Sequence, residues 1–174
     1  MDNLWAPWRM AYIAPKTPAS QECIFCALPA AHRDEENYIL YRGEHCFMML
    51  NLYPYNPGHL MIAPYQHVSS IEKLESATLA ELMSQAQLAL RALRQTMQPD
   101  GFNLGINDGK VAGAGFTDHV HLHIVPRWNG DTNFMPIIAD VKVMPEHLDN
   151  TYRQMKQALD TLSRPFNPQP QGSH

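Results

Sequence analysis

Residues 119 to 125 read His-Val-His-Leu-His-Ile-Val, three imidazoles alternating with branched apolar side chains. A strand sends successive side chains to opposite faces, so His119, His121 and His123 would share one face while Val120, Leu122 and Ile124 share the other. Adjacent imidazoles would then stand roughly 7 Å apart, a spacing that lets two of them hold a metal ion or lets the row span the phosphates of a nucleotide. A helix would scatter them. A neutral imidazole is also a competent nucleophile near neutral pH, because its reference pKa of about 6.5 leaves one ring nitrogen with a lone pair.

A second constellation is Cys23-Ile24-Phe25-Cys26. By itself Cys-x-x-Cys suits zinc, redox chemistry or neither, although a thioredoxin-like role would want a βαβ setting that the neighbouring sequence lacks. Cys46 reads as a plain buried thiol. Three cysteines are too few for a disulfide framework in 174 residues. The third feature is the Gly-rich stretch from Asp108 to Gly115. Gly105-Ile106-Asn107-Asp108-Gly109-Lys110-Val111 is one residue short of a P-loop and Val111 has no hydroxyl for magnesium, so it is not a Walker motif. A strand follows it, not a helix, which also excludes a dinucleotide fingerprint. Its glycines would still let backbone N–H groups approach an anion.

The elements that must position these residues are legible from periodicity. Strands are expected at Tyr38 to Arg42 and His45 to Asn51, divided by Gly43-Glu44 in hairpin fashion, then at His59 to Ala63 after the turn-rich Leu52 to Gly58, and at Phe102 to Asn107. Ser69-Ser70-Ile71-Glu72 fits a capping box, and from about Ala77 to Met97 the residues Leu79, Leu82, Met83, Ala86, Leu90, Leu93 and Met97 follow helical spacing. A last helix is expected from about Pro145 to Leu162, with Leu148, Tyr152, Met155, Leu159 and Leu162 on one side. Tight turns between strands and one long helix among them indicate an α+β fold on an antiparallel sheet.

Hydrophobic residues make up 45% of the chain, ample for one core, and a formal charge of −4 argues against a broad footprint for nucleic acid or anionic membrane. No membrane span or cleavable leader is evident, so a cytoplasmic protein is expected. Residues 1–20 read as an aromatic arm, residues 21–163 as a single catalytic domain, and residues 164–174 as a disordered tail. Bland roles suit His32, His45 and His147 as surface residues, and Asp118 and Asp131 as turn residues or as groups orienting a histidine.

The run at 119 to 125 resembles the histidine-triad signature of nucleotide hydrolases and transferases. Leu50-Asn51, Pro57-Gly58-His59-Leu60 and Pro126-Arg127-Trp128 are similar to the same family, so the resemblance extends over about residues 20 to 135. The continuation from Trp128 to Pro136 and the opening Trp/Pro/Arg/Tyr segment look most like the bacterial diadenosine tetraphosphate phosphorylase-like group, in the fragile-histidine-triad branch.

That resemblance implies a histidine-triad fold of about five antiparallel strands with a long and a C-terminal helix, paired into a homodimer or higher homo-oligomer. It implies cleavage of dinucleoside polyphosphates, of tetraphosphate or triphosphate type, at the α-phosphate by hydrolysis or phosphorolysis. His121 would form a nucleotidyl-histidine intermediate with its other ring nitrogen held by a backbone carbonyl. His123 and His59 would assist, and Asn51, Asn107, Gly113, Gly115 and Trp128 would contact the nucleotide, with ordinary packing an equal alternative for Trp128. Cys23, Cys26, His67 and His119 match the positions of a structural zinc site. The partner is a small nucleotide, not a nucleic acid polymer or a membrane. The chain departs from the family at Gly115-Phe116, where many members carry Gln or Ser. Rival readings are hydrolysis of other AMP-linked compounds such as phosphoramidates or adenylyl sulfate, a nucleotide-binding signalling module with little catalysis, and a hydrolase or oxygenase using the histidines as catalytic metal ligands.

Overall fold

Alternation along the central strands builds two cores, one on each face of a sheet. In β2 (Cys46–Leu50) and β3 (Leu60–Pro64) every residue is buried, the mark of strands covered on both sides. Cys46, Met48, Leu50, Leu60 and Ile62 face one cluster, while Phe47, Met49, Met61 and Ala63 face the other. The computed structural model describes residues 22–131 and 147–163. The aromatic arm, the continuation beyond Asp131 with Pro145, and the C-terminal tail lie outside the described residues.

The sheet has five antiparallel strands in the order β1-β2-β3-β5-β4, with β1 at Ile39–Arg42, β4 at Gly101–Ile106 and β5 at Leu122–Arg127. The larger cluster is closed by α2 (Ser76–Met97) and α3 (Leu148–Leu162). The smaller is closed by α1 (Ile24–Ala30), a short helix whose Phe25 is fully buried. Leu122 and Ile124 point to the helical layer. The expected alternation therefore holds, and the histidines face the α1 side. Among the described residues no helix is long and apolar enough to cross a membrane.

Several expectations need correction. The histidine strand starts at Leu122, not at His119. Val120 donates its N–H to Val68 O at 2.7 Å and the His121 ring turns back on the His119 carbonyl, and these local bonds take the place of a ladder. The rings of His121 and His123 consequently stand closer than strand rise alone suggests, with centroids 4.7 Å apart. The capping box does not form. Ser70 instead precedes a single 3-10 turn at Ile71–Lys73 and gives its hydroxyl to Asp108 Oδ2 at 2.7 Å, and the long helix starts after Glu75. On α2, Met83 is exposed. The buried stripe runs through Thr78, Leu82, Gln85, Ala86, Ala89, Ala92 and Leu93, since small alanines permit the closest approach to the sheet. Gln85 is polar yet buried because its amide donates to Cys46 O and to Glu81, whose carboxylate accepts the N–H groups of His45 and Cys46 at the β1–β2 turn. His45 is half-buried there, not open to solvent.

Candidate active site and metal cluster

Pairing of β3 with β5 sets Met61 opposite His123 and Leu60 opposite Ile124. His59, one residue before β3, thereby reaches His123, with its Nε2 3.0 Å from Nδ1 of that ring. The proton positions follow from the backbone. Tyr55 N–H donates to His59 Nδ1 at 3.1 Å, so that nitrogen bears the lone pair and the His59 proton sits on Nε2, from which it is donated to His123 Nδ1. The His123 proton is then on Nε2. Asn51 supports the arrangement: its Oδ1 accepts from Tyr53 N–H at 2.9 Å, which turns Nδ2 toward His59 Nδ1 at 3.4 Å.

The loop that carries these donors is pinned at both ends. Asn51 N–H donates to His59 O and His59 N–H to Asn56 O. Asn56 in turn gives Nδ2 to Pro126 O at 2.9 Å and to Asp131 Oδ2 at 2.7 Å. The Arg127 guanidinium grips Asp131 with two hydrogen bonds. That contact, helped by Trp128 N–H and Asn56, holds the Asp131 carboxyl far below the usual carboxylate range.

His121 is locked by a different device. Its Nδ1 lies 2.9 Å from His119 O. A carbonyl can only accept, so in the neutral ring Nδ1 carries the proton and Nε2 the lone pair. His121 and His123 are both at least nine-tenths buried. Two neighbouring imidazoles thus present different Nε2 atoms, one basic and one a donor, which is the pairing that attack on phosphorus and stabilisation of its charge require.

Beside them is a second cluster. Cys23 Sγ is 3.3 Å from His119 Nδ1, Cys26 Sγ is 3.6 Å from the same nitrogen, and Cys26 Sγ is 3.3 Å from His67 Nδ1. The four ligand atoms lie within 4.8 Å of one another. Around zinc, bonds of about 2.3 Å to sulfur and 2.0–2.1 Å to nitrogen would set S···N edges of about 3.5 Å, and the set fits such a tetrahedron. His119 is prepared for the role, since its Nε2–H donates to Pro64 O at 2.9 Å and so turns a lone pair on Nδ1 toward the thiols. Burial keeps His119 neutral by pushing its pKa down. Burial and the neighbouring Cys23 push the Cys26 thiol up, so Cys26 resists ionising until a cation lies beside its sulfur. Cys46 takes no part. It faces the helical layer and is pushed up to about 12, chiefly by burial.

The chain therefore gathers His59, His121, His123 and Asn51 in one group and Cys23, Cys26, His67 and His119 in another. Asn107, half-buried, lies one step past the Ile106–Leu122 pair and so at the level of His121. Gly113 has φ +89° and joins Gly109, φ +83°, in bending the exposed loop that includes Gly115. Trp128 directly follows β5, at the far end of that strand from His123, and its N–H donates to Asp131 Oδ2 at 3.2 Å. Sequence reasoning passed over Phe25, whose ring packs on His119 and His121, and the backbone of Tyr53 and Tyr55. Nothing local marked Phe25, because His119 and His121 are distant in sequence, and the Tyr53 and Tyr55 contacts are made by backbone N–H groups that side-chain identity does not reveal.

Known proteins are similar to this chain in sequence and fold. The HIT domain profile matches residues 32–130. AP-4-A phosphorylase of Mycobacterium tuberculosis is 44% identical over 160 residues, covering 88% of this chain and 82% of that protein. Among solved structures, a Zn-bound histidine triad family protein from Mycobacterium smegmatis superimposes with a TM-score of 0.66 at 28% identity, over 83% of this chain and 97% of that one. A hypothetical histidine triad nucleotide-binding protein from Sulfolobus tokodaii gives 0.65 at 28% identity, over 82% and 95%. With more than half of its length matched by the profile and its sheet shared with these proteins, this chain belongs to the HIT domain, or histidine-triad, family.

Proposed function

We propose that this protein cleaves dinucleoside polyphosphates of the diadenosine tetraphosphate type at an α-phosphate, through a nucleotidyl intermediate on His121, and releases the nucleotide to inorganic phosphate. The observation that carries the reading is the Nδ1–H of His121 held by the His119 carbonyl at 2.9 Å. It directs the lone pair to Nε2 and, as attack makes the ring cationic, stabilises the proton that remains on Nδ1. The choice of substrate and acceptor is supported by the 44% identity to AP-4-A phosphorylase.

In the first step the His121 Nε2–P bond forms and the bond from the α-phosphorus to the bridging oxygen breaks. The electron pair leaves with that oxygen as ATP. His123, with its proton on Nε2 and its Nδ1 fixed by His59, supplies a donor to the developing charge, and N–H groups of the Gly109–Gly113 loop would add others. In the second step an oxygen of phosphate attacks the same phosphorus and the N–P bond breaks, giving ADP and restoring the neutral ring. Asn51 and His59 act by holding this geometry.

Cys23, Cys26, His67 and His119 would hold zinc, a reading supported by the fit of their ligand atoms and by the Zn-bound relative of this fold. Bound there, the ion would fasten α1 to the segment before β5 and serve structure only.

The test is His121→Asn with product analysis on diadenosine tetraphosphate. Turnover should fall at least about 10⁴-fold while folding and nucleotide binding persist. Wild-type protein should form ADP plus ATP only when phosphate is present. AMP plus ATP without phosphate would replace phosphorolysis by hydrolysis, and full activity of pure His121→Asn protein would refute the intermediate.

A further inference from the structure

We infer that Phe25 is a positioning residue for His121, its ring fixing the plane of the imidazole from the turn that also carries the two cysteines. The inference rests on the proposed role of His121 and deepens it. The ring centroids of Phe25 and His121 lie 4.5 Å apart with planes inclined at 30°, and His119 lies 5.2 Å from the same phenyl ring. Phe116 backs Phe25 edge-on at 5.6 Å and 80°.

The torsion about the Cβ–Cγ bond of histidine is soft, with broad wells, so a hydrogen bond at Nδ1 alone lets the ring rock. In-line attack needs Nε2 held within a fraction of an ångström. A tilted stack at this distance supplies the missing restraint, with His123 standing across His121 at 70°. The Phe25 backbone is itself held: Cys26 and Ala27 both donate their N–H groups to Cys23 O at 2.9 Å, forming the first turn of α1. One turn thus grips the 119–121 segment twice, the cysteines facing the His119 ring and Phe25 covering that of His121. Phe25 is 0% exposed, so it acts through His121 and not on a ligand. Phe116 thereby acquires a use, since its apolar ring buttresses Phe25.

A merely structural role is separable, because Phe47 belongs to the same cluster, is equally buried, and stacks on Tyr65 at 5.4 Å. Full-length Phe25→Leu and Phe47→Leu are compared in single-turnover labelling of His121 by diadenosine tetraphosphate. Melting temperature is recorded, and rates are referred to folded protein. Phe25→Leu should slow labelling at saturating nucleotide at least about tenfold, with the binding constant within about twofold. Phe47→Leu should lower the melting temperature comparably yet label at the wild-type rate. In nitrogen-15 spectra Phe25→Leu should broaden the His121 ring signals, which Phe47→Leu leaves sharp. Wild-type labelling by Phe25→Leu, equal slowing in both variants, or a loss confined to binding would each overturn the inference. If Phe25→Leu does not fold, Phe25→Met, closer in flexibility and volume, carries the same expectations. Wild-type protein that takes no label on His121 would instead remove the proposed function, and this inference with it.

Discussion

A single carboxylate, Asp131, holds the end of β5 to the loop that supports His59. Because Arg127 lowers its native pKa far below the unfolded value of about 3.9, the unfolded chain takes up the proton first as pH falls. The stabilisation is therefore complete above about pH 4 to 5 and drains away below that, as pH falls toward the native value. Asp131→Asn should cost about 1–2 kcal/mol in urea denaturation at neutral pH, and the gap to wild type should narrow as the pH drops below about 4. A gap of the same size at pH 3 and pH 7 would show that charge is not the source. Residue identity was legible in the triad and in Cys-x-x-Cys, where type and spacing are local. The pairing of Cys23 with His119 spans 96 residues. It was reached only through family likeness, and the Phe25–His121 contact, equally distant, had no such guide.

At the scale of elements, the turn before β3 is tightly constrained. Gly58 sits at φ +74°, and a Cβ there would come within 2.6 Å of Met97 Sδ and 3.0 Å of Leu93 Cδ2. Gly58→Ala should lower stability by about 1–3 kcal/mol and, by shifting His59, slow turnover of the folded fraction. A denaturation curve and rate both matching wild type would show that the loop tolerates the change. Strand positions were readable in advance because β2, β3 and β5 alternate under a two-sided core, and α2 because a stripe of period 3.6 is long. What failed was finer. Met83 has the chemistry of a core residue but the wrong azimuth, and Ser70 has the chemistry of a cap yet caps no N–H and donates its hydroxyl to Asp108 across the fold. Periodicity shows where a face lies, and tertiary partners decide its edges.

For the molecule as a whole, the cysteine–histidine cluster joins α1 to the approach to β5, while the sheet between them is covered on both faces. A metal bound there would stabilise the native state over the unfolded one by mass action. Purified protein should carry about one zinc per chain, and cobalt substitution should give the thiolate absorption of a tetrahedral S₂N₂ centre. Stripping the metal should lower the melting temperature by about 5 °C or more. Absence of a shift on chelation, with Cys26→Ser melting like wild type, would leave the four residues as an ordinary polar cluster.

The separation of 96 residues between Cys23 and His119 has a consequence for biosynthesis. A growing polypeptide emerges from the ribosome with Phe25 and the cysteine pair first, and the imidazole they embrace arrives only after four of the five strands have been made. No truncated product ending before that point can bring the cysteines, Phe25 and the three histidines together, so on the proposed mechanism a fragment left by incomplete translation would be inert.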